Sequence, residues 1–324
     1  MIRSIIPTGN LAKGPLLAMN AVYEETKADP EFLWMRAPEF RWGGGEDVCW
    51  IWGAQHAPIA LQALAAKRPV AIGPYTIFRK FSAIPSTPHE RKLIARVSYT
   101  AIFHPGHWRR EWALRFFKQQ QGHWVLNMPV ADDVWKSPWE KEIVYDALIY
   151  VKQGESQTSI AAELAKRYAS DKVNVLTYGG YKRENLLNLS AQSAVCYYLA
   201  RNDSGPAAAK EIMAMGCPIV SHDRAVPQML DGVTGTYVAC RTPSDPTKKW
   251  ELDKGNVEDL FRASLPWDGK GRDKNWRNMI RLCIREQISP KNVVSRIKAA
   301  LRSNDDGNIG ADESTELSLS ASNG

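Results

Sequence analysis

The stretch DSGPAAAKEIMAMGCPIVSHDRAVPQMLDGVTGTYV, residues 203–238, is the part of this chain most informative about its fold. It begins with an acid, Asp203, continues through a turn of small residues, and carries a second acid, Glu211, inside a predicted helix. The apolar run PIV then reads as a buried strand, and a loop containing GVTG follows it. A helix that connects two buried strands is the repeating unit of a parallel α/β sheet.

The turn at residues 204–208 is suited to binding a phosphate group. Its small side chains leave backbone N–H groups accessible, and the N-terminus of a helix attracts anions. Pro206 fits the first helical turn, where its missing N–H does no harm. Asp203 and Glu211 could accept hydrogen bonds from sugar hydroxyls. The spacing alone favours a helix-capping Asp and a surface Glu over such a binding role.

The alternation of strands and helices continues outward in both directions. EDVCWIWG, RPVAIGPYTIF and YTAIFHPG are predicted strands before this stretch, and IVYDALIYVK, VNVLTYGGY and AVCYYLA are predicted strands nearer to it. The segment VLNMPVADDVWKSPWEKE has the Pro and Asp content of a linker. We therefore predict an α/β protein with two Rossmann-like domains, 1–138 and 139–304, facing across a crevice. Helices end the second domain, and the acidic tail 305–324 is predicted to be disordered.

Composition excludes several classes of protein. No apolar run is long enough to span a membrane, and the N-terminal apolar stretch is too short for a signal peptide, so we expect a cytoplasmic protein, with peripheral association at a membrane as an open alternative. The cysteines are odd in number and never have CxxC spacing, which predicts reduced thiols and no metal site. They are Cys49, Cys196, Cys217, Cys240 and Cys283.

Residues 67–118 form a basic stretch in which aromatic residues are interleaved. Eleven Lys or Arg side chains stand there against two acids, Glu90 and Glu111. This composition suits an anionic partner. It is also what a solvated helix face over a Trp-rich core would show. The residues predicted to contact an acceptor are Arg109, Arg110 and Lys118.

The segment from about residue 145 to 240 resembles the donor site of retaining GT-B glycosyltransferases of the large family 4 type. In that family an acid is followed after seven residues by Glu-Ala-Met-Ala-x-Gly-x-Pro-Val-Val and then by a glycine-containing turn. Here EIMAMGCPIV and LDGVTGTYV match, with Glu211 on the second acid. The resemblance is faint before residue 145. It implies a GT-B fold that transfers a sugar from a nucleotide-sugar, with UDP-glucose as the default donor, and that needs no cofactor or metal.

The same resemblance implies roles for individual residues. Glu211 would hold the ribose, Asp203 would contact the transferred sugar, and Lys152 would neutralise the leaving phosphate. Lys152 and Asp203 are therefore predicted to be catalytic, and His104 is added as the candidate for a histidine that relatives carry near Trp50 and Trp52. The predicted donor-binding residues are Gly9, Lys152, Gly179, Gly205, Ala207, Ala208 and Glu211.

Several positions depart from the pattern of the family. The first acid is Asp203 where the family has Glu, and Gln157 stands where a second Lys is usual. Lys182 or Arg183 could replace that lysine, and His56 is a second candidate for the missing histidine.

Three acceptor hypotheses follow. A carbohydrate or lipid-linked acceptor is favoured, with the basic helix HWRREWALRFFKQQ resting on anionic lipid. The alternative acceptor is DNA carrying 5-hydroxymethylpyrimidines, the acceptor of phage enzymes of this kind. Lys and Arg side chains would then contact the phosphates, and aromatic side chains would contact a flipped base. The third is a non-catalytic nucleic-acid-binding relative. The orientation of Arg109, Arg110 and Lys118, into the crevice or outward, separates the first two hypotheses.

Overall fold

The structure, a computed structural model, describes residues 1–7, 13–75, 88–152, 154–203, 205–240 and 250–302. The predicted donor residue Gly9 and the predicted disordered tail 305–324 lie outside these ranges. In the described part of the chain, no helix has both the length and the apolar character that a membrane span requires.

The first domain is a six-stranded parallel sheet in the order β2-β1-β3-β4-β5-β6. Its strands are β1 (Ile2–Ile5), β2 (Phe32–Met35), β3 (Val48–Gly53), β4 (Val70–Tyr75), β5 (Ala101–His104) and β6 (His123–Val125). Its helices are α1 (Lys13–Thr26), α2 (Ala57–Ala65), α3 (Pro88–Ile94), α4 (His107–Leu114) and α5 (Asp132–Lys136). The strand order reverses between β1 and β3, which leaves a crevice at their carboxyl ends.

The second domain is a five-stranded parallel sheet in the order β11-β10-β9-β7-β8. Its strands are β7 (Tyr145–Val151), β8 (Val173–Thr177), β9 (Ser193–Leu199), β10 (Ile219–Ser221) and β11 (Gly235–Tyr237). The remaining helices are α6 (Glu155–Ala165), α7 (Arg183–Ala191), α8 (Ala207–Ala214), α9 (Asn256–Arg272), α10 (Lys274–Ile288) and α11 (Pro290–Arg302). Here the order reverses between β7 and β9. The predicted parallel α/β architecture of two Rossmann-like domains is confirmed.

Each sheet has an apolar core on both faces because its strands are apolar at consecutive positions. In β3, Ile51 packs on the face covered by α2, and Trp50 and Trp52 pack on the opposite face. Both indole N–H groups donate 2.9 Å hydrogen bonds to backbone carbonyls, of Gly73 and Ile5 respectively. The two tryptophans that replace the expected histidine are therefore core residues.

Helix α11 returns from the second domain and packs on the first. Its buried apolar side chains, among them Val293 and Ile297, share a core with Met19 and Val22 of α1. Lys298 also pairs with Asp29, with Nζ 2.5 Å from Oδ2. The predicted domains group all terminal helices with the second domain along the chain. The boundaries themselves stay a prediction.

Candidate active site

The centre of the candidate site lies where the order of the second sheet reverses. Lys152 directly follows β7, and its backbone N–H donates to Leu199 O at 2.9 Å, so the pairing with β9 extends past the strand end. Asp203 comes four residues after β9. The Lys152 ammonium and the Asp203 carboxylate form an ion pair, with side chains 22% and 11% exposed. Two residues that are far apart in sequence meet here because carboxyl ends of neighbouring parallel strands share one edge.

Asp203 is held from both domains. Its backbone N–H donates to Arg224 O at 2.7 Å in the second domain. Its carbonyl accepts a 2.9 Å hydrogen bond from the indole of Trp108, on α4 of the first domain. The Tyr198 hydroxyl lies 3.5 Å from the carboxylate. The position of this acid therefore depends on how the two domains pack together.

A second cation, Arg109, is buried near Asp203. Its guanidinium lies 4.7 Å from the ring centroid of Trp108. Burial lowers the pKa of Arg109 to about 10, and the negative charge of Asp203 partly offsets that effect. The side chain stays protonated at neutral pH, so Lys152 and Arg109 give the crevice two positive charges beside one carboxylate.

The first turn of α8 faces the first turn of α1 across the crevice. No side chain caps α8 at Pro206, so the N–H groups of Ala207 and Ala208 have no side-chain partner from that position. A Cβ added to Gly14, in α1, would lie 3.7 Å from the Cβ of Ala207. Two helix N-termini this close together give a strongly anion-attracting region.

Gly205 lies at the contact between the domains. Its φ of +91° is in the left-handed region, and an added Cβ would lie 3.4 Å from Pro105 Cβ. The Gln228 amide also donates to Pro105 O at 3.2 Å. Glycine at this position lets the turn before α8 approach the first domain closely.

Glu211 is buried and paired with a cation. Arg183 Nε lies 2.7 Å from Glu211 Oε1, and the same guanidinium binds both carboxylate oxygens of Asp133 at 2.7 and 3.2 Å. Burial raises the pKa of Glu211, and the charge of Arg183 opposes that shift. Of the two cations considered as replacements for the missing lysine, Arg183 therefore contacts a predicted donor-binding acid, whereas Lys182 is exposed.

Lys210 is a site residue that the sequence analysis missed. Its side chain is fully buried, and Nζ donates to Met128 O at 2.7 Å. Burial lowers the pKa of Lys210 to about 8, although Glu211 and Asp203 oppose that shift. A lysine within a helix normally indicates a solvent-exposed face, so no signal in the sequence pointed to it.

His104 lies in a buried histidine pair. Its Nε2 is 2.8 Å from His123 Nδ1, and the rings stack with centroids 5.0 Å apart. His123 Nε2 donates to Gln119 O at 3.0 Å, so His123 Nδ1 accepts and His104 Nε2 carries the proton. Burial holds the pKa of His104 well below its usual value. The catalytic role of His104 stays a prediction, and this geometry disfavours it.

The predicted acceptor residues do not form one surface. Arg109 is buried against the crevice, Arg110 donates from Nε to His123 O at 3.1 Å, and Lys118 is exposed beyond the end of α4.

Two further positions considered for the donor site differ in their surroundings. Gly179 is exposed, with φ +84° and open space around it, and Gln157 is buried within α6.

Comparisons with known proteins support the fold assignment. No family model and no curated protein matches the sequence. Among solved structures, HepE from Anabaena in complex with UDP and glucose is similar, with a TM-score of 0.62 and 10% identity over 94% of this chain and 99% of that one. The galactosyltransferase WaaB of the lipopolysaccharide outer core has a TM-score of 0.60 and 10% identity over 92% and 99% of the chains.

The same comparison extends to an enzyme of another class. A putative UDP-N-acetylglucosamine 2-epimerase from Listeria monocytogenes has a TM-score of 0.50 and 11% identity over 93% and 95% of the chains. The chain therefore has the two-domain fold of GT-B glycosyltransferases, and that fold also carries other chemistry on nucleotide-sugars.

Proposed function

We propose that this chain is a glycosyltransferase that moves a sugar from a nucleotide-sugar to a hydroxyl acceptor, with retention of anomeric configuration. The ion pair of Lys152 and Asp203, opposite the N-terminus of α8, carries the proposal. It joins a cation, a carboxylate and accessible backbone N–H groups at the position where α/β sheets bind ligands.

The donor diphosphate binds between the first turns of α8 and α1, where the amides of Ala207 and Ala208 donate to its oxygens. Lys152 and Arg109 stabilise the negative charge that develops on the departing nucleoside diphosphate. These cations act without a metal at the phosphates. The ion pair with Lys152 and the contact with Tyr198 hold the Asp203 carboxylate in place to accept hydrogen bonds from sugar hydroxyls.

Glu211 binds the ribose of the donor. Its carboxylate is buried on α8, directly behind the helix turn assigned to the diphosphate, and it pairs with Arg183. UDP-glucose is the first donor to test, since the similar HepE structure holds UDP and glucose. This assignment of the nucleotide and the sugar is part of the proposal.

The acceptor is proposed to be a carbohydrate or a lipid-linked sugar. Arg109 is buried beside Asp203 and Arg110 is bound to a carbonyl, so within the described residues neither belongs to an open basic track. A duplex needs such a track for its phosphates. DNA with 5-hydroxymethylpyrimidines remains in the acceptor panel because Lys118 is exposed.

The activity test separates these possibilities. The protein is incubated with UDP-glucose and other nucleotide-sugars, first alone and then with oligosaccharides, lipid-linked sugars and hydroxymethylated duplexes. Products are weighed by mass spectrometry, and NMR gives the anomeric configuration of the new bond. Transfer with retention supports the proposal. Conversion of the donor to an epimer without any acceptor would instead indicate epimerase chemistry, and DNA binding without nucleotide release would indicate a non-catalytic relative.

Lys152→Ala tests the proposed role of the cation. Loss of one transition-state charge stabiliser should lower turnover by roughly 10²-fold. The binding of free UDP, which carries the full charge of the leaving group, should also weaken, as measured by calorimetry, whereas the KM for the nucleotide-sugar should change less than kcat. Lys172→Ala, which alters an exposed lysine before β8, is the matched control. A fall of less than about twofold in Lys152→Ala would remove Lys152 from the mechanism.

A further inference from the structure

Three groups able to bind a metal meet at the carboxyl end of β10 and β11. A ring nitrogen of His222, a carboxylate oxygen of Asp223 and Sγ of Cys240 all lie within 4.8 Å of one another. The parallel register pairs Ser221 with Tyr237, and Val238 N donates to Ser221 O at 2.6 Å. The residues that follow these two strand ends are therefore brought to the same edge of the sheet.

His222 has the state that a metal ligand needs. Its side chain is completely buried, and Nε2 donates to Ala200 O at 2.8 Å, which leaves the lone pair on Nδ1. Within the described part of the chain, Nδ1 has no hydrogen-bond partner. A buried acceptor without a partner costs about 1–3 kcal/mol. A ring whose other nitrogen donates to a backbone carbonyl is the usual arrangement of a metal-binding histidine.

The two remaining groups complement the imidazole. Cys240 is half-buried, and its Sγ lies within 4.8 Å of the ligand atoms of His222 and Asp223. Asp223 Oδ2 lies 3.9 Å from Arg224 Nε. A divalent cation would favour the thiolate, with release of a proton.

We propose that His222, Asp223 and Cys240 bind one divalent transition-metal ion of the zinc class. Nitrogen, oxygen and sulfur ligands suit Zn²⁺, whereas Mg²⁺ and Ca²⁺ prefer oxygen ligands only. The sequence analysis expected no metal because it considered cysteine spacing alone. This site contains only one cysteine, Cys240. Its other two ligands, His222 and Asp223, lie between β10 and β11, so cysteine spacing could not indicate it.

The site bears on the crevice through one loop. Asp223 lines a pocket of about 180 Å³ between the domains, with Trp108 and Tyr237 also on its wall. The next residue, Arg224, accepts the backbone N–H of Asp203 at 2.7 Å. A metal at His222 and Asp223 would fix the loop that positions Asp203.

The test uses the full chain without a histidine tag, stripped with a chelator and dialysed. Zn²⁺ is titrated by calorimetry, and Co²⁺ is followed by its thiolate charge-transfer absorption. One ion per chain is expected, with affinity weakened at least about tenfold in Cys240→Ser and Asp223→Asn. Cys283→Ser, which changes another half-buried cysteine, is the control and should bind as the parent does.

Alkylation of the unaltered protein provides a measurement that does not depend on variants folding. Zn²⁺ should protect Cys240 from iodoacetamide, as read by peptide mass spectrometry, and leave Cys283 unchanged. Binding in Cys240→Ser equal to that of the parent, or equal alkylation of Cys240 with and without Zn²⁺, would overturn the proposal.

Discussion

Glu211 and Arg183 form a buried ion pair that also reaches Asp133 through the same guanidinium. Such a pair fixes the carboxylate in one orientation, as the proposed binding of two adjacent ribose hydroxyls would require. Loss of one partner leaves a buried charge uncompensated, which costs more than the pair contributes. The behaviour of this one acid therefore tests the assignment of the donor site.

Glu211→Gln should weaken UDP binding by roughly 10- to 100-fold, because hydrogen bonds to a charged group contribute about 1.5–3 kcal/mol. Isothermal calorimetry measures the change, and circular dichroism checks that the variant is folded. The control is Glu184→Gln, which alters an exposed acid on α7. UDP affinity within about twofold of the parent would contradict the role of Glu211.

Lys210 gives a prediction on pH. Its folded pKa is about 8 and its ordinary value is 10.5, so between these values the unfolded chain binds more protons. The free energy of unfolding therefore rises with pH in that window, on the order of 1 kcal/mol per pH unit, and Lys210 contributes no pH dependence below it.

Urea unfolding of the parent and of Lys210→Met between about pH 7 and pH 10 measures this contribution, because the difference between the two cancels the other titrating groups. The free energy of unfolding of the parent minus that of Lys210→Met should increase above about pH 8. Lys172→Met, which changes an exposed lysine, should show no such growth. A difference that is flat or falls with pH would show that Lys210 is not buried as a neutral amine at high pH.

Among the single elements, α8 ends in the sequence AMGCP, and the glycine of this run is required by the geometry of the helix end. Gly216 has φ +76° and closes the helix, with its N–H donating to Met213 O at 2.9 Å. An added Cβ would lie 2.8 Å from Arg277 O. The buried Arg277 guanidinium in turn donates to backbone carbonyls, Met215 O among them at 2.9 Å. The helix end is therefore locked against α10.

Gly216→Ala should lower the free energy of unfolding by about 1–3 kcal/mol, from backbone strain and the close contact together. Thermal and urea unfolding measure the loss. Gly269→Ala is the matched control, since Gly269 lies in α9 with open space around it and the change should be neutral or stabilising by up to about 1 kcal/mol. Equal stability of the two variants would contradict the predicted helix end.

In the molecule as a whole, α11 joins the last described segment of the chain to the first domain. It belongs to the last described segment yet covers a face of the first sheet, with Ile297 fully buried and Lys298 paired with Asp29. The first domain therefore completes its core only when the last helix is present. The crevice between the domains depends on this closure, because α1 contributes its N-terminus to the crevice.

Ile297→Ala should destabilise the protein by about 2–5 kcal/mol, the usual cost of removing a large aliphatic side chain from a core. Differential scanning calorimetry should show the transition of the first domain shifted to lower temperature. Ser295→Ala, which changes an exposed position of the same helix, should leave it in place. An unaltered transition in Ile297→Ala would mean that α11 is not part of that core.

The amino-acid sequence was sufficient to predict the parallel α/β architecture, because apolar strands alternating with helices predict parallel sheets, which bind ligands at the carboxyl ends of their strands. The choice of Lys152 and Asp203 came from the resemblance to GT-B glycosyltransferases, since the strand order that makes β7 and β9 neighbours was not predicted. Local patterns report this much because secondary structure depends on neighbours within a few residues.

Only the tertiary structure decided which side chains surround that region. The burial of Lys210, the pairing of Arg183 with Glu211 and the pairing of His104 with His123 depend on residues distant in the sequence. The cluster of His222 with Cys240 likewise arises from the register of two strands. Periodicity carries no information on such contacts, because they depend on how elements pack and how loops return, and these are set by the whole chain.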